Sequence, residues 1–440
     1  MVTEAADTVI PFFRTGNYLP VADELTAFEL PVDGGIPPEL DGWYLRNGPN
    51  PRHGSGHWFT GDGMIHGLRL RDGRAAWYRN RWVRTESFEN PFPVYGPDGT
   101  RNLRSSAANT HVVRHAGRTL ALVESSLPYE ITNELETLGV YDFGGKLMDA
   151  MTAHPKICPR TGELHFFGYG NLTKPHVTYH RADAAGRLTI NQGIDVPALT
   201  MMHDFALTAD HVVFMDLPVV FDLDLALSGE SALPYRWDDG YGARLGVMRR
   251  DDPFGPLRWL EVQPCYVFHV VNAYDDADSI VLHVVRYPEL WRNSGSFGVD
   301  AALWRWTIDL TRGTVTERQI DDRKVEFPRV DDRRTGLPAR YAVTVGDGAL
   351  IRYDLDGDTA QEHSFGSGER GGAPDEAVFA PAVPATDELA GWYLLFVYDP
   401  ATDSSDLVII DASDFTGEPV ARVHLPQRVP HGFHGTWIPA

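Results

Sequence analysis

Pro264-Cys265-Tyr266-Val267-Phe268-His269-Val270-Val271-Asn272-Ala273-Tyr274 is an apolar, β-branched run with one histidine set in its middle. A strand buried on both faces reads as near-continuous hydrophobics, so an imidazole inside one needs a polar partner, an ordered water or a metal. Taken alone, His269 reads as a hydrogen-bonded core residue, the commoner state of a buried histidine. Its meaning depends on what the rest of the chain places beside it.

Working outward, strand pairs recur with turn signals between them. Gly67–Leu70 and Ala75–Tyr78 flank Asp72-Gly73, and Thr110–Val113 and Thr119–Leu122 flank Ala116-Gly117. Further runs of the same kind are His211–Met215, Ser279–Val285, Trp304–Ile308 with Thr314–Thr316, Tyr341–Thr344 with Leu350–Tyr353, and Tyr393–Val397 with Leu407–Ile410. Helical stretches are scarce, the candidates being Asn133–Leu138 and Asp224–Leu233. Many short strands in a chain of 440 residues predict an all-β sandwich, barrel or propeller. A propeller blade uses about 40 to 60 residues, so seven blades of roughly 60 fit the length. The first 40 residues, with their Pro37-Pro38 pair, read as an extended arm, and the whole chain, 1–440, reads as a single domain.

Composition narrows the function classes. Hydrophobic residues at 43% and aromatics at 11% are ample for a large core. Acidic residues number 61 against 39 Lys and Arg, a formal charge of -22, which repels a nucleic-acid backbone and disfavours an anionic substrate. With two cysteines, Cys158 and Cys265, no disulfide framework is expected, which fits a reducing cytoplasm. The acidic N-terminus lacks the base of a signal peptide, and no window holds the about 18 apolar residues of a membrane span.

His269 has companions in similar settings. His154 lies in Thr152-Ala153-His154-Pro155-Lys156, His203 in Met202-His203-Asp204-Phe205, and His434 in Gly432-Phe433-His434-Gly435. The intervals of 49, 66 and 165 residues are near one, one and three blade lengths, so each histidine could project from a different blade toward a common axis. Four neutral nitrogen ligands without a thiolate suit Fe(II), Cu or Zn. Ligating histidines normally give their second ring nitrogen to a carboxylate or carbonyl, and Glu124, Glu326 and Glu376 each stand beside an apolar strand.

Taken in order, Leu45-Arg46-Asn47-Gly48-Pro49-Asn50-Pro51, the run His57-Trp58-Phe59-Thr60-Gly61-Asp62-Gly63-Met64, Asn109-Thr110-His111, Ala153-His154-Pro155-Lys156, His203-Asp204-Phe205, Phe268-His269-Val270-Val271-Asn272, Glu326-Phe327-Pro328-Arg329 and Gly432-Phe433-His434-Gly435 are motifs in a recognisable sequence. The chain resembles the carotenoid cleavage oxygenase family over nearly its whole length. The resemblance implies a seven-bladed β-propeller with short helices and loops doming over an axial face that bears one Fe(2+) per chain. It implies His154, His203, His269 and His434 as ligands, with Glu124, Glu326 and Glu376 orienting His203, His269 and His434 and no glutamate for His154. His57, His66, His111 and His431 accompany the motifs as structural or channel-lining residues.

By the same resemblance, O2 is the co-substrate, and it adds across an electron-rich C=C bond to give two carbonyl fragments. No catalytic side chain is expected beyond the metal ligands. Stilbene-cleaving members carry a lysine just before the glutamate and an upstream tyrosine to hold a phenol; the matching positions here are Val123 and Phe88. Both lack a polar handle, so a carotenoid or apocarotenoid is the expected substrate and a stilbenoid or vinyl phenol the alternative. An apolar entrance patch with peripheral membrane contact is also expected, with Leu223–Leu233 as the candidate and no obligate protein partner. Two other classes stay open at this point: a non-catalytic propeller serving as an interaction platform, and a calcium or zinc propeller hydrolase.

Overall fold

In the computed structural model the described residues are 11–440, without 97, 229–230, 293–299 and 367–370. The strands read from turn chemistry assemble into seven antiparallel sheets of four to six strands, together with one two-stranded sheet. Innermost strands of neighbouring sheets touch, as Phe205–Leu207 does Tyr266–Asp276 and Gly435–Pro439 does His111–His115, and the sheets stand as blades round a common axis, a seven-bladed β-propeller. Glycine in the left-handed region at Gly73 and Gly117 closes the two hairpins expected there.

The axial strands are Gly435–Pro439, His111–His115, Lys156–Ile157, Phe205–Leu207, Tyr266–Asp276, Glu326–Arg329 and Val378–Pro381, here taken as blades I to VII in that order. Blade I is closed by the chain's end: Gly435–Pro439 pairs with Gly42–Pro49. Blade VII is closed by the chain's beginning: Val32–Gly34 pairs with Ala421–His424. The described part of the arm carries two 3-10 turns, Phe12–Arg14 and Gly16–Tyr18, ahead of its strand Thr26–Phe28, which edges blade I along Arg74–Trp82. The arm's first ten residues lie outside the described residues.

Side chains between the sheets form the core. The largest cluster runs through blades III to VI and includes Phe167, Phe205, Phe214, Leu282 and Trp306, all fully buried. Two local expectations differ from the structure. Asn133–Leu138 is a turn leading into the strand Thr137–Val140, because the Thr132 hydroxyl accepts the N–H groups of Glu134 and Glu136 and Leu135 takes a positive φ of 68°. Such side-chain capture of backbone donors competes with a helix. Of the helix expected over Asp224–Leu233, the helix Leu223–Ser228 covers the first part, Ser231–Leu233 is not helical, and residues 229–230 lie outside the described residues.

Candidate metal centre and substrate cavity

The axial strands begin near one level of the propeller, and that level gathers the titratable residues. His154, His203 and His434 lie one or two residues before the axial strands of blades III, IV and I, and Glu376 lies two before that of blade VII. His269 reaches the same level differently. In the ladder with Ser279–Tyr287 the register shifts between Val267 and Val270, so Phe268 and His269 together oppose Val285 alone. This bulge explains how one imidazole leaves an apolar strand for the axis. A similar irregularity between Glu326 and Arg329, with Phe327 at a φ of 51°, aims Glu326.

Ligand atoms of His154, His203 and His269 lie within 4.8 Å of one another, all three residues being buried. His434 stands beside this group, its ring centroid 4.6 Å from that of His154 and 4.9 Å from that of His269. Each of the three glutamates meets the histidine expected of it. His203 Nδ1 donates to Glu124 at 2.7 Å, His269 Nδ1 to Glu326 at 2.6 Å and His434 Nδ1 to Glu376 at 2.9 Å. A carboxylate on Nδ1 fixes the tautomer, leaving the Nε2 lone pair free. His154 meets no carboxylate among the described residues; its Nε2 faces that of His203 at 2.9 Å.

These nitrogens fit a metal ion. His269 Nε2 is buried without a hydrogen-bond partner, a state that a ligand would relieve. Burial and the neighbouring imidazoles hold His154 and His434 well below the ordinary histidine range, so both keep the neutral, ligating form. For His269 burial acts in the same direction, but the Glu326 carboxylate outweighs it and raises the value.

The carboxylates are themselves held, by groups that the sequence does not announce. Glu326 also accepts from the Tyr287 hydroxyl at 3.0 Å and the Phe327 N–H at 2.6 Å. Glu376 accepts from the Gly435 N–H at 2.8 Å, next to His434, and lies 3.4 Å from Arg329. Asp204, one residue past His203, pairs with Lys156 at 2.8 Å and accepts the Val270 N–H at 2.8 Å. Lys156 is two residues past His154 and Val270 one past His269, so this clasp ties three histidine-bearing segments together. The only hint of it in the sequence is a charged residue beside each of two histidines.

The histidines form a floor between two spaces. Above it, His203, His269 and His434 line a cavity of roughly 1730 Å³, walled by aromatic and aliphatic side chains such as Phe59, Phe268 and Phe433. Below it, His154, His269 and His434 line a chamber of roughly 470 Å³ with Lys156, Asp204, Arg329 and Asp332. Val123 lines the upper cavity, directly before Glu124. Phe88 does not: it is buried under the Arg52 guanidinium, 3.5 Å from its ring, while its neighbour Ser87 lines the cavity. Adjacent side chains on one helical turn diverge by about 100°, which separates the two.

Leu223 and Leu227, from the candidate patch, line the cavity and are 61% and 76% exposed. No helix among the described residues is long and apolar enough to cross a membrane. Of the remaining motif histidines, His66 bonds the Tyr78 hydroxyl, and His111, at the start of the axial strand of blade II, bonds the Ala153 carbonyl.

A family model described as retinal pigment epithelial membrane protein matches residues 18–439. A carotenoid cleavage oxygenase of Mycobacterium tuberculosis is 40% identical, with 99% of each chain covered. A carotenoid 9,10(9',10')-cleavage dioxygenase of Crocus sativus is 33% identical over 97% of this chain and 89% of its own. Among solved structures, cobalt-substituted Synechocystis ACO superposes with a TM-score of 0.86 at 27% identity, covering 96% of this chain and 98% of that one. A lignostilbene dioxygenase of Pseudomonas brassicacearum gives 0.88 at 26%, covering 98% and 100%. A propeller whose axis gathers four imidazoles and three carboxylates, matched end to end by these relatives, places the chain in the carotenoid cleavage oxygenase family.

Proposed function

We propose that this protein is a non-haem Fe(II) dioxygenase that cleaves a conjugated C=C bond of a carotenoid or apocarotenoid with O2, giving two carbonyl products. The observation that carries the proposal is the histidine floor, with its carboxylate-held imidazoles, opening on a large apolar cavity. His154, His203, His269 and His434 would hold one ferrous ion per chain, and iron bound there supplies activation of dioxygen. Glu124, Glu326 and Glu376 orient their histidines from outside the coordination sphere, offsetting the ion's charge without occupying a position on it. The aromatic walls exclude water and align an extended apolar alkene over the floor.

Val123, an apolar side chain in the cavity wall directly before Glu124, favours a polyene over a phenol, while Phe88 lies outside the cavity and bears on neither. Of the cavity cations, Lys324 is paired with Asp300 at 3.0 Å and Arg101 is bonded to the Tyr169 and Ser125 carbonyls. The lignostilbene dioxygenase neighbour keeps a stilbenoid or vinyl phenol as the second reading. Leu223 and Leu227 would rest on a membrane surface where polyenes are dissolved, a peripheral contact by a cytoplasmic protein whose two thiols, Cys158 and Cys265, are buried and free. The whole chain, 1–440, acts as one catalytic domain without an obligate protein partner.

The test is a substrate panel. Iron-loaded protein is given apocarotenoids, full-length carotenoids, hydroxystilbenes and vinyl phenols under O2, and the aldehydes are identified. Polyene-derived aldehydes are the expected products. Cleavage among the phenols alone would overturn the substrate class, and no cleavage of any conjugated alkene would overturn the reaction.

A further inference from the structure

The upper cavity is apolar in bulk, yet tyrosines stand in its walls, Tyr235 among them. Tyr235 opens the strand Tyr235–Trp237, which pairs with Val219–Phe221 in the two-stranded sheet outside the blades. Its ring packs edge-on against Phe221, centroids 5.8 Å apart at 78°, and both residues line the cavity. That packing fixes the direction of the ring. Tyr95, Arg101, Glu124 and His203 line the same cavity.

The neighbouring polar groups are already engaged. Tyr95 donates to the Gly170 carbonyl at 2.6 Å, Tyr266 to the Met201 carbonyl at 3.0 Å and Tyr287 to Glu326 at 3.0 Å. Arg101 is committed to the Tyr169 carbonyl at 2.6 Å and the Ser125 carbonyl at 3.0 Å. The Tyr235 hydroxyl makes no hydrogen bond with any described residue, and Tyr235 lines the cavity. Burial holds this phenol well above the ordinary tyrosine range, so it remains a neutral donor. An O–H left facing hydrocarbon is unfavourable, and the contents of the cavity decide whether it is met.

Resting on the cleavage reading above, we propose that the Tyr235 hydroxyl binds substrate, donating a hydrogen bond to an oxygen function on the conjugated alkene held in the cavity. The substrate is then an oxygenated alkene rather than a pure hydrocarbon. A hydroxyl or carbonyl end of an apocarotenoid and the phenol of a hydroxystilbene share this chemistry. In either case Tyr235 rejects the matched molecule without the oxygen, because that molecule would leave the donor unpaired.

Equilibrium binding to the metal-free protein tests this without requiring turnover. Quenching of tryptophan fluorescence would give the dissociation constants of an apocarotenal, of the hydrocarbon polyene of equal conjugation, of 4-hydroxystilbene and of stilbene. The wild type should favour the oxygenated member of at least one pair by about tenfold, the worth of one neutral hydrogen bond. Tyr235→Phe should bring that ratio close to one, and the pair affected identifies the source of the oxygen. Tyr95→Phe, which loses a hydroxyl already bound to a backbone carbonyl, is the matched control and should keep the wild-type ratio.

A ratio near one in the wild type, or one that survives Tyr235→Phe, overturns the assignment of Tyr235 while leaving the cleavage reading intact. Binding of none of the four overturns the cavity as a substrate site, and Tyr235 with it.

Discussion

At the residue scale, His269 changes status through its partners. A lone imidazole in an apolar strand is unremarkable, but one whose Nδ1 is held at 2.6 Å by Glu326 and whose Nε2 is buried without a partner is poised to ligate. Glu326 in turn receives three donors, from His269, Tyr287 and Phe327. Glu326→Gln would turn an amide N–H toward one of them and leave His269 poorly oriented. Metal affinity, measured by chelator competition with Co(II) as a probe, should fall about 10- to 100-fold; an unchanged affinity would show that the carboxylate does not act through the histidine. The histidines and glutamates are legible in the sequence because each interrupts or abuts an apolar run. Asp204 and Tyr287 are not, because their roles arise from partners tens of residues away. Phe88 shows the same limit in reverse, since which of two adjacent side chains faces a cavity depends on the local helical turn.

At the element scale, strands with turn residues between them were readable, and the bulges that aim His269 and Glu326 were not. A bulge is a relation between two strands, visible once the register is known. The arm's strand Val32–Gly34 shows how such pairing can depend on pH. His424, in the strand Ala421–His424, bonds Asp406 through Nδ1 at 2.9 Å and Asp33 of the arm through Nε2 at 3.0 Å. Partial burial works against its charge, but the two carboxylates outweigh that and raise its pKa above the ordinary 6.5. A raised folded-state value contributes stability that is fully present below the unfolded value and is lost as pH rises through the folded one. Wild type should therefore melt above His424→Gln at pH 6, and the gap should close by pH 9. A gap that widens with pH would contradict this ion-pair account of the arm.

At the scale of the whole molecule, blade closure and site assembly are one event. The terminal strand that completes blade I begins directly after His434, so the ring must close for the fourth histidine to reach the other three. Gly42 marks how tightly it closes: a Cβ there would lie 2.4 Å from the Ile438 carbonyl oxygen and 2.7 Å from the Trp437 ring. Gly42→Ala should wedge the two strands apart and destabilise the fold by about 1 to 3 kcal/mol, the usual scale of overpacking, read as a lower urea midpoint. An unchanged midpoint would mean that the closure tolerates separation. Blade count and histidine spacing were both legible from length and intervals, whereas this interlocking of the two termini across blades I and VII was not, since nothing local in either terminus names its partner.

Anaerobic titration of Fe(II) into the metal-free protein tests most directly whether these four imidazoles hold one ferrous ion. The wild type should take up one equivalent per chain and His269→Ala none at the same concentrations, with both proteins keeping the same far-ultraviolet dichroism. A His269→Ala protein that binds one equivalent as tightly as the wild type, or a wild type that binds none, would contradict the site on which the proposed chemistry rests.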